Sequence, residues 1–157
     1  MEIVCLDLEG VLVPEIWIAF AEETGIPELK RTTRDEPDYD KLMKYRIGIL
    51  KEHGLGLKEI QETIEKIDPL PGAKEFLDEL RAMTQVIIIS DTFSQFAGPL
   101  MKKLGYPTIF CNTLEVADNG EITGFKMRCE KSKYTTVKAL QSIGYDTIAS
   151  GDSHNDL

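Results

Sequence analysis

Two acids stand where an apolar run stops. Ile3, Val4, Cys5 and Leu6 lead into Asp7, Leu8, Glu9 and Gly10, so the two carboxylates are two positions apart. Successive strand residues alternate sides, and such a pair can face one way. Further on, "QVIIIS" runs into Ser90, Asp91 and Thr92, and "TIAS" runs into "GDSHND", which holds Asp152, Asn155 and Asp156. In open parallel sheets ligands bind beyond the carboxyl ends of strands, where all three groups fall. Asp7, Glu9, Asp152 and Asp156 would gather three or four negative charges into one crevice, a repulsive arrangement unless a divalent cation neutralises it. Oxygen-only ligands of this kind favour Mg²⁺. A hydroxyl from Ser90 and a cation from the "EKSKY" segment can then bind a phosphoryl group that also touches the metal. The chemistry implied is phosphoryl transfer. The plain alternative for Asp7 and Glu9 alone is a pair of solvated carboxylates at a strand exit, so the rest of the chain must support the reading.

The elements that would position these residues follow from periodicity. "IVCL" is short, β-branched and closed by Gly10, and its continuous apolar pattern suits a strand covered on both faces. Residues 14 to 68 contain no strand-like run and several helical ones. Pro14 is placed to open a helix whose apolar face holds Ile16, Trp17 and Phe20, with Gly25 as its carboxyl-terminal cap. "DYDKLMKYRIGILKEHG" carries Tyr39, Leu42, Met43, Ile47 and Leu50 at intervals of three and four, with Arg46 inside the stripe. "LKEIQETIEKI" repeats Leu57, Ile60, Ile64 and Ile67 before "DPLPG" breaks the chain. From there helices and strands alternate. A helix with Ala73, Phe76, Leu77 and Leu80 precedes "QVIIIS", one around Phe96 to Leu104 precedes "TIFC", and "KYTTVKALQSIG" precedes "TIAS". "TLEVADNGEITGFKMR" reads as a hairpin turning at Asn119 and Gly120. Such alternation argues for an α/β fold with a parallel sheet.

Composition sets the bounds. A chain of 157 residues suffices for one domain with a core and a small inserted block. No apolar stretch approaches the ~20 residues a bilayer requires, and the amino terminus enters its strand without the regions of a signal peptide, so a cytoplasmic protein is expected. Cys5, Cys111 and Cys129 are odd in number and lack CxxC spacing, which makes ordinary buried thiols of them. With 18 basic against 27 acidic residues, the formal net charge of -9 repels nucleic acid and anionic membranes. An anionic small substrate therefore needs a locally positive site.

"DLEGVLV", "IIISDT", the lysine of "KSKYTTV" and "GDSHND", in that order, resemble the four motifs of the haloacid dehalogenase superfamily, and the resemblance spans the chain. It implies a Rossmann-like core over 1–13 and 70–157 and a helical cap over 14–69. It also implies Asp7 as a nucleophile that becomes an aspartyl phosphate, and Glu9 as the acid and base that moves protons. The metal would be held by Asp7, Glu9 through its backbone carbonyl, and Asp152, with Asp156 behind them; Ser90 and Lys133 would bind the phosphoryl oxygens. Lys131 competes for the lysine role, but Lys133 stands at the start of the helix, where the family places it. The family's usual second acid is aspartate, so Glu9 departs by one methylene. Within the superfamily, "DLEGVLVPEIWIAFAE" resembles phosphoserine phosphatases that also transfer phosphate to homoserine. That implies O-phosphoserine as substrate and homoserine as a second acceptor. Arg46 would meet the substrate carboxylate, Glu15 its ammonium, and Asn155 would lie at the substrate.

For Arg46 the structural alternative is a snorkelling side chain, and for Glu15 a solvated acid; burying an unpaired guanidinium in an apolar stripe is costly, which favours an anion beside Arg46. His53 falls in the last turn of its helix, a favourable place beside the dipole, and His154 is read as facing solvent. Two other functions compete: a phosphatase for another small phosphomonoester, and a phospho-accepting receiver-type module, which has no need of a helical block between its first two strands. A helical cap can supply a homodimer surface. The family continues past its last motif with a helix and an edge strand, so a chain stopping at Leu157 is expected to be truncated at its carboxyl end.

Overall fold

The computed structural model describes residues 1–150. Five strands form one sheet in the order β4-β3-β2-β1-β5. β1 (Glu2–Leu6) runs parallel to β2 (Gln85–Phe93) on one side and to β5 (Asp146–Ser150) on the other. β3 (Thr108–Val116) pairs parallel with β2 and antiparallel with β4 (Ile122–Lys126). The mostly parallel α/β sheet expected from the alternation is therefore present.

The apolar runs are buried on both faces, as their lack of alternation requires. On one face Val4, Leu6, Val86 and Ile88 join the main core. On the other, Ile3, Cys5, Ile87 and Ile89 pack with Phe110, Val137 and Leu140, the last two carried by α6 (Ser132–Ser142). All three cysteines are free thiols; Cys5 is buried, whereas Cys111 and Cys129 are only half-buried, less than the sequence reading gave them.

Between β1 and β2 the chain forms α1 (Ile16–Thr24), a 3-10 turn (Pro27–Lys30), α2 (Tyr39–Glu52), α3 (Leu57–Glu65) and α4 (Ala73–Met83). The first helix begins two residues later than Pro14 suggests, and Gly25 ends it at φ 72 with its N–H on the Ala21 carbonyl. Asp38 opens α2 by accepting from the Lys41 amide. His53 sits one place beyond α2 as its carboxyl-terminal cap. Phe76, read as part of an apolar face, is half exposed, while Ala73 and Leu77 face inward.

Two features join this helical block to the sheet. α5 (Ser94–Lys103) contains Pro99, whose missing N–H leaves the Gln95 carbonyl without its helical donor; the Gln61 side chain of α3 donates to it instead at 3.0 Å. The Gln95 side chain in turn pairs with both backbone groups of Leu114 in β3. At the other end of α3, the Leu57 amide donates to the carbonyl of Gly120 at 2.9 Å, in the turn between β3 and β4. The hairpin bends through Asp118 and Asn119, with the Gly120 N–H on the Ala117 carbonyl and Gly120 itself at φ 90.

Candidate active site

Asp7 follows directly from β1 and is 9% exposed. Its Oδ1 accepts the Leu8 amide at 2.8 Å, and its Oδ2 lies 3.1 Å from the ammonium of Lys133, the second residue of α6. Both side chains of this ion pair are mostly buried. The rival Lys131 is exposed and serves as the residue before the helix, in a left-handed conformation at φ 46. Lys133 is therefore the lysine that the fold brings to Asp7.

Beyond Asp7 the chain folds back on itself. The Leu8 carbonyl accepts from Leu12 at 2.9 Å and Val13 at 3.1 Å, while the Gly10 N–H donates to the Val13 carbonyl at 2.7 Å. Gly10 holds φ 80, a conformation that a side chain would strain. This tight loop aims Glu9 at the start of α1, where its Oε1 accepts the Ile16 amide at 2.8 Å. Burial pushes the Glu9 carboxyl up to about 7; the Ile16 amide and the Arg46 charge pull it down, and Asp7 and Glu15 push it further up. The residue keeps partial exposure at the pocket, so its proton can be exchanged.

Ser90 is buried at the end of the apolar part of β2, and its Oγ accepts the Thr92 amide at 3.1 Å. Asp91, beside it, joins three elements. Its carbonyl accepts from the Tyr39 hydroxyl at 2.8 Å and from Asn112 Nδ2 at 3.3 Å, and its Oδ1 accepts from the Ser132 hydroxyl at 3.1 Å.

Arg46 is 5% exposed, on α2. Its guanidinium lies 4.8 Å over the Trp17 ring, donates to the Arg31 carbonyl at 2.9 Å, and approaches the Met43 sulfur at 3.7 Å. Its Nε has no hydrogen-bond partner among the described residues. Burial lowers the Arg46 pKa, and Tyr39, Glu9 and Glu15 offset part of that. Glu15 is half-buried, with Arg34 at 4.0 Å in a solvent-screened pairing.

Asp7, Glu9, Glu15, Arg46, Ser90 and Lys133 all line one pocket of about 120 Å³. Tyr39, Thr32 and Thr33 line it too, and the sequence reading did not single them out. Tyr39 was within reach, since it lies seven residues before Arg46 and so two turns along the same helix face. Thr32 and Thr33 belong to an aperiodic loop, where no pattern marks them. Asp152, Asn155 and Asp156 lie outside the described residues.

Among the described residues no three His, Cys, Asp or Glu side chains gather into a metal-holding group. Among the described residues, the pocket nevertheless offers only oxygen as donor to a cation, from Asp7, Asp91, Ser90 and the two glutamates, with no thiol or imidazole in its lining. That donor chemistry fits a hard divalent cation, with part of the ligand set supplied here.

A family model described as haloacid dehalogenase-like hydrolase matches residues 1–157. The chain is 58% identical over 156 residues to phosphoserine phosphatase ThrH of Pseudomonas aeruginosa, covering 99% of this chain and 76% of that protein. It is 54% identical over 156 residues to a phosphoserine phosphatase of Pseudomonas syringae pv. tomato, covering 99% and 66%. Its fold is similar to a solved structure of a phospho-aspartyl intermediate analogue of phosphoserine phosphatase, with TM-score 0.79 and 26% identity over 99% of this chain and 79% of that one. Matched by the family model along its whole length, the chain belongs to the haloacid dehalogenase-like hydrolases.

Proposed function

We propose that this hydrolase is a Mg²⁺-dependent phosphoserine phosphatase that works through a phosphorylated Asp7 and can pass the phosphoryl group to homoserine as well as to water. The observation that carries this reading is a pocket lined by two unlike cationic groups. The same lining holds the Asp7–Lys133 pair, which meets at 3.1 Å, together with Ser90, and a buried Arg46 with an Nε unpartnered among the described residues. The names of the relatives at 58% and 54% identity support the same substrate.

In this mechanism an Asp7 carboxylate oxygen attacks phosphorus, and the bond to the seryl oxygen breaks as the new bond forms. Glu9, held near neutrality by burial, gives its proton to the departing seryl oxygen. Glu9 then takes a proton from water or from the homoserine hydroxyl, which attacks the acyl phosphate and restores the Asp7 carboxylate. Ser90 and Lys133 bind the phosphoryl oxygens throughout, and Lys133 moderates the charge that accumulates there. Arg46 binds the substrate carboxylate and Glu15 its ammonium, Asn155 is a further substrate-binding residue, and the helical block over 14–69 acts as a cap on the core of 1–13 and 70–157. Mg²⁺, when bound to Asp7, the Glu9 carbonyl and Asp152 with Asp156 behind, would neutralise charge on the phosphoryl group.

The decisive experiment compares two substrates. Arg46→Ala should lower kcat/KM on phosphoserine roughly ten- to hundredfold, the value of a charge-assisted contact, and leave para-nitrophenyl phosphate, which has no carboxylate, nearly unchanged. Equal losses on both would remove Arg46 from carboxylate recognition. Activity on para-nitrophenyl phosphate alone would move the assignment to another phosphomonoester. Phosphohomoserine among the products when homoserine is added tests the second acceptor.

A further inference from the structure

Tyr39 opens α2, and its hydroxyl reaches across to the Asp91 carbonyl at 2.8 Å, a contact between positions 52 apart in sequence. Among the described residues, this is the side-chain hydrogen bond that ties α2 to β2. The ring is held as well, edge-on to Phe125 of β4 at 6.1 Å between centroids. Asp38 fixes the helix start one residue earlier, so any movement of Tyr39 is passed directly to the helix axis. Two turns along the same face stands Arg46. At the far end of the tether, the Asp91 peptide is flanked by Ser90, and its carboxylate accepts from Ser132, the neighbour of Lys133. One hydrogen bond therefore joins the helix that carries the anion-binding arginine to the peptide between the groups at the phosphoryl end.

We infer that Tyr39 is a positioning residue that determines substrate selection. Its hydroxyl, anchored on the Asp91 carbonyl, fixes how far Arg46 stands from Ser90 and Lys133, so that a small phosphomonoester bearing a carboxylate at the matching distance is favoured over one without. This rests on the assignment of Arg46 to the carboxylate. The hydroxyl itself touches no reacting atom. Burial raises the Tyr39 pKa, which keeps the hydroxyl protonated as a donor over the working range.

Tyr39→Phe removes only the hydroxyl and keeps the ring against Phe125. It should lower kcat/KM on phosphoserine about three- to tenfold, mainly through KM, and leave para-nitrophenyl phosphate within twofold. In an Arg46→Ala background the same substitution should have no effect on phosphoserine, because the residue whose placement it controls is gone. In the substrate-free protein, amides 42–46 of α2 should exchange with deuterium several times faster in the variant, with β2 unchanged. Equal losses on both substrates would make Tyr39 a solvent shield and overturn the inference. So would an undiminished loss in the Arg46→Ala background, no loss at all, or unchanged exchange in α2. If the parent protein did not hydrolyse phosphoserine, the functional reading would fall, while the exchange measurement would still decide whether the tether holds α2.

Discussion

Glu9 is the residue whose environment most changes its chemistry. Its carboxyl is pushed up to about 7 from the ordinary 4.5, chiefly by burial. Between those values the folded protein holds a proton that the unfolded chain has released, so stability falls as pH rises through this window and the full penalty is present above about 7. Glu9→Gln keeps an oxygen acceptor for the Ile16 amide and removes the charge. In the metal-free protein, with chelator present, the variant should gain on the parent between pH 5 and pH 8 by on the order of 2–3 kcal/mol. Parallel stability curves for the two proteins across that range would show that Glu9 is ordinary. Asp7→Asn, in contrast, should abolish turnover, since it deletes the proposed nucleophile while keeping its shape; near-parental activity in a variant verified by mass spectrometry would exclude a covalent step at Asp7. Asp7, Glu9 and Ser90 were legible as pocket residues because an acid or hydroxyl after an apolar run is conspicuous. Glu9's raised pKa was not, because it depends on a loop that curls back on the Leu8 carbonyl, and periodicity carries no record of such a contact.

Elements were legible where their pattern was long. α2 and α3 lie close to where their apolar repeats place them, and β1 and β2 have the β-branching expected of them, although β2 runs on past the apolar "QVIIIS" through Asp91 and Thr92 to Phe93. The region of "TIFC" and the hairpin was read as separate pieces, yet β3 is one strand, bonded to β2 over its first half and to β4 over its second. The exchange of partners leaves no mark in composition, because both halves are equally strand-like. Docking of α3 was also invisible, since it depends on what a glycine lacks. A Cβ on Gly56 would come within 2.6 Å of the Gly120 carbonyl oxygen, which is backbone and cannot swing aside. Gly48, inside α2, has nothing within 4 Å. Gly56→Ala should therefore destabilise the protein by about 1–3 kcal/mol, whereas Gly48→Ala should stabilise it by roughly 0.5–1 kcal/mol through helix propensity. Chemical denaturation of both variants checks the contrast, and a neutral Gly56→Ala would mean that the turn yields.

At the scale of the molecule, the helical block and the sheet share one core. Phe20, Leu29, Met43 and Ile60 from the block lie in the same buried cluster as Leu6, Ile88 and Phe93 from the strands. Trp17, the protein's single tryptophan, meets Phe96 of α5 edge-on at 5.8 Å, and Phe96 meets Phe93 at 5.6 Å. Its fluorescence therefore reports the seam between block and sheet, while circular dichroism reports all helices together. A shared core should make the two unfolding curves coincide. An earlier fluorescence transition would mean that the block separates while the sheet stays folded. The charge of -9 belongs to this scale too: Arg46 and Lys133 place two cations in the pocket of a protein whose net charge otherwise repels anions.

The contact of Gly56 with Gly120 also bears on how such a protein can change. The turn at 117–121 lines no part of the reaction pocket, yet the start of α3 rests on it, and β3 carries that support back to the strand beside Ser90. Lengthening or shortening this turn would shift the start of α3 without altering a residue that lines the pocket. The pocket of this architecture is thus adjustable by insertions at a surface bend, where variation is tolerated, and need not wait for substitutions among its own buried lining.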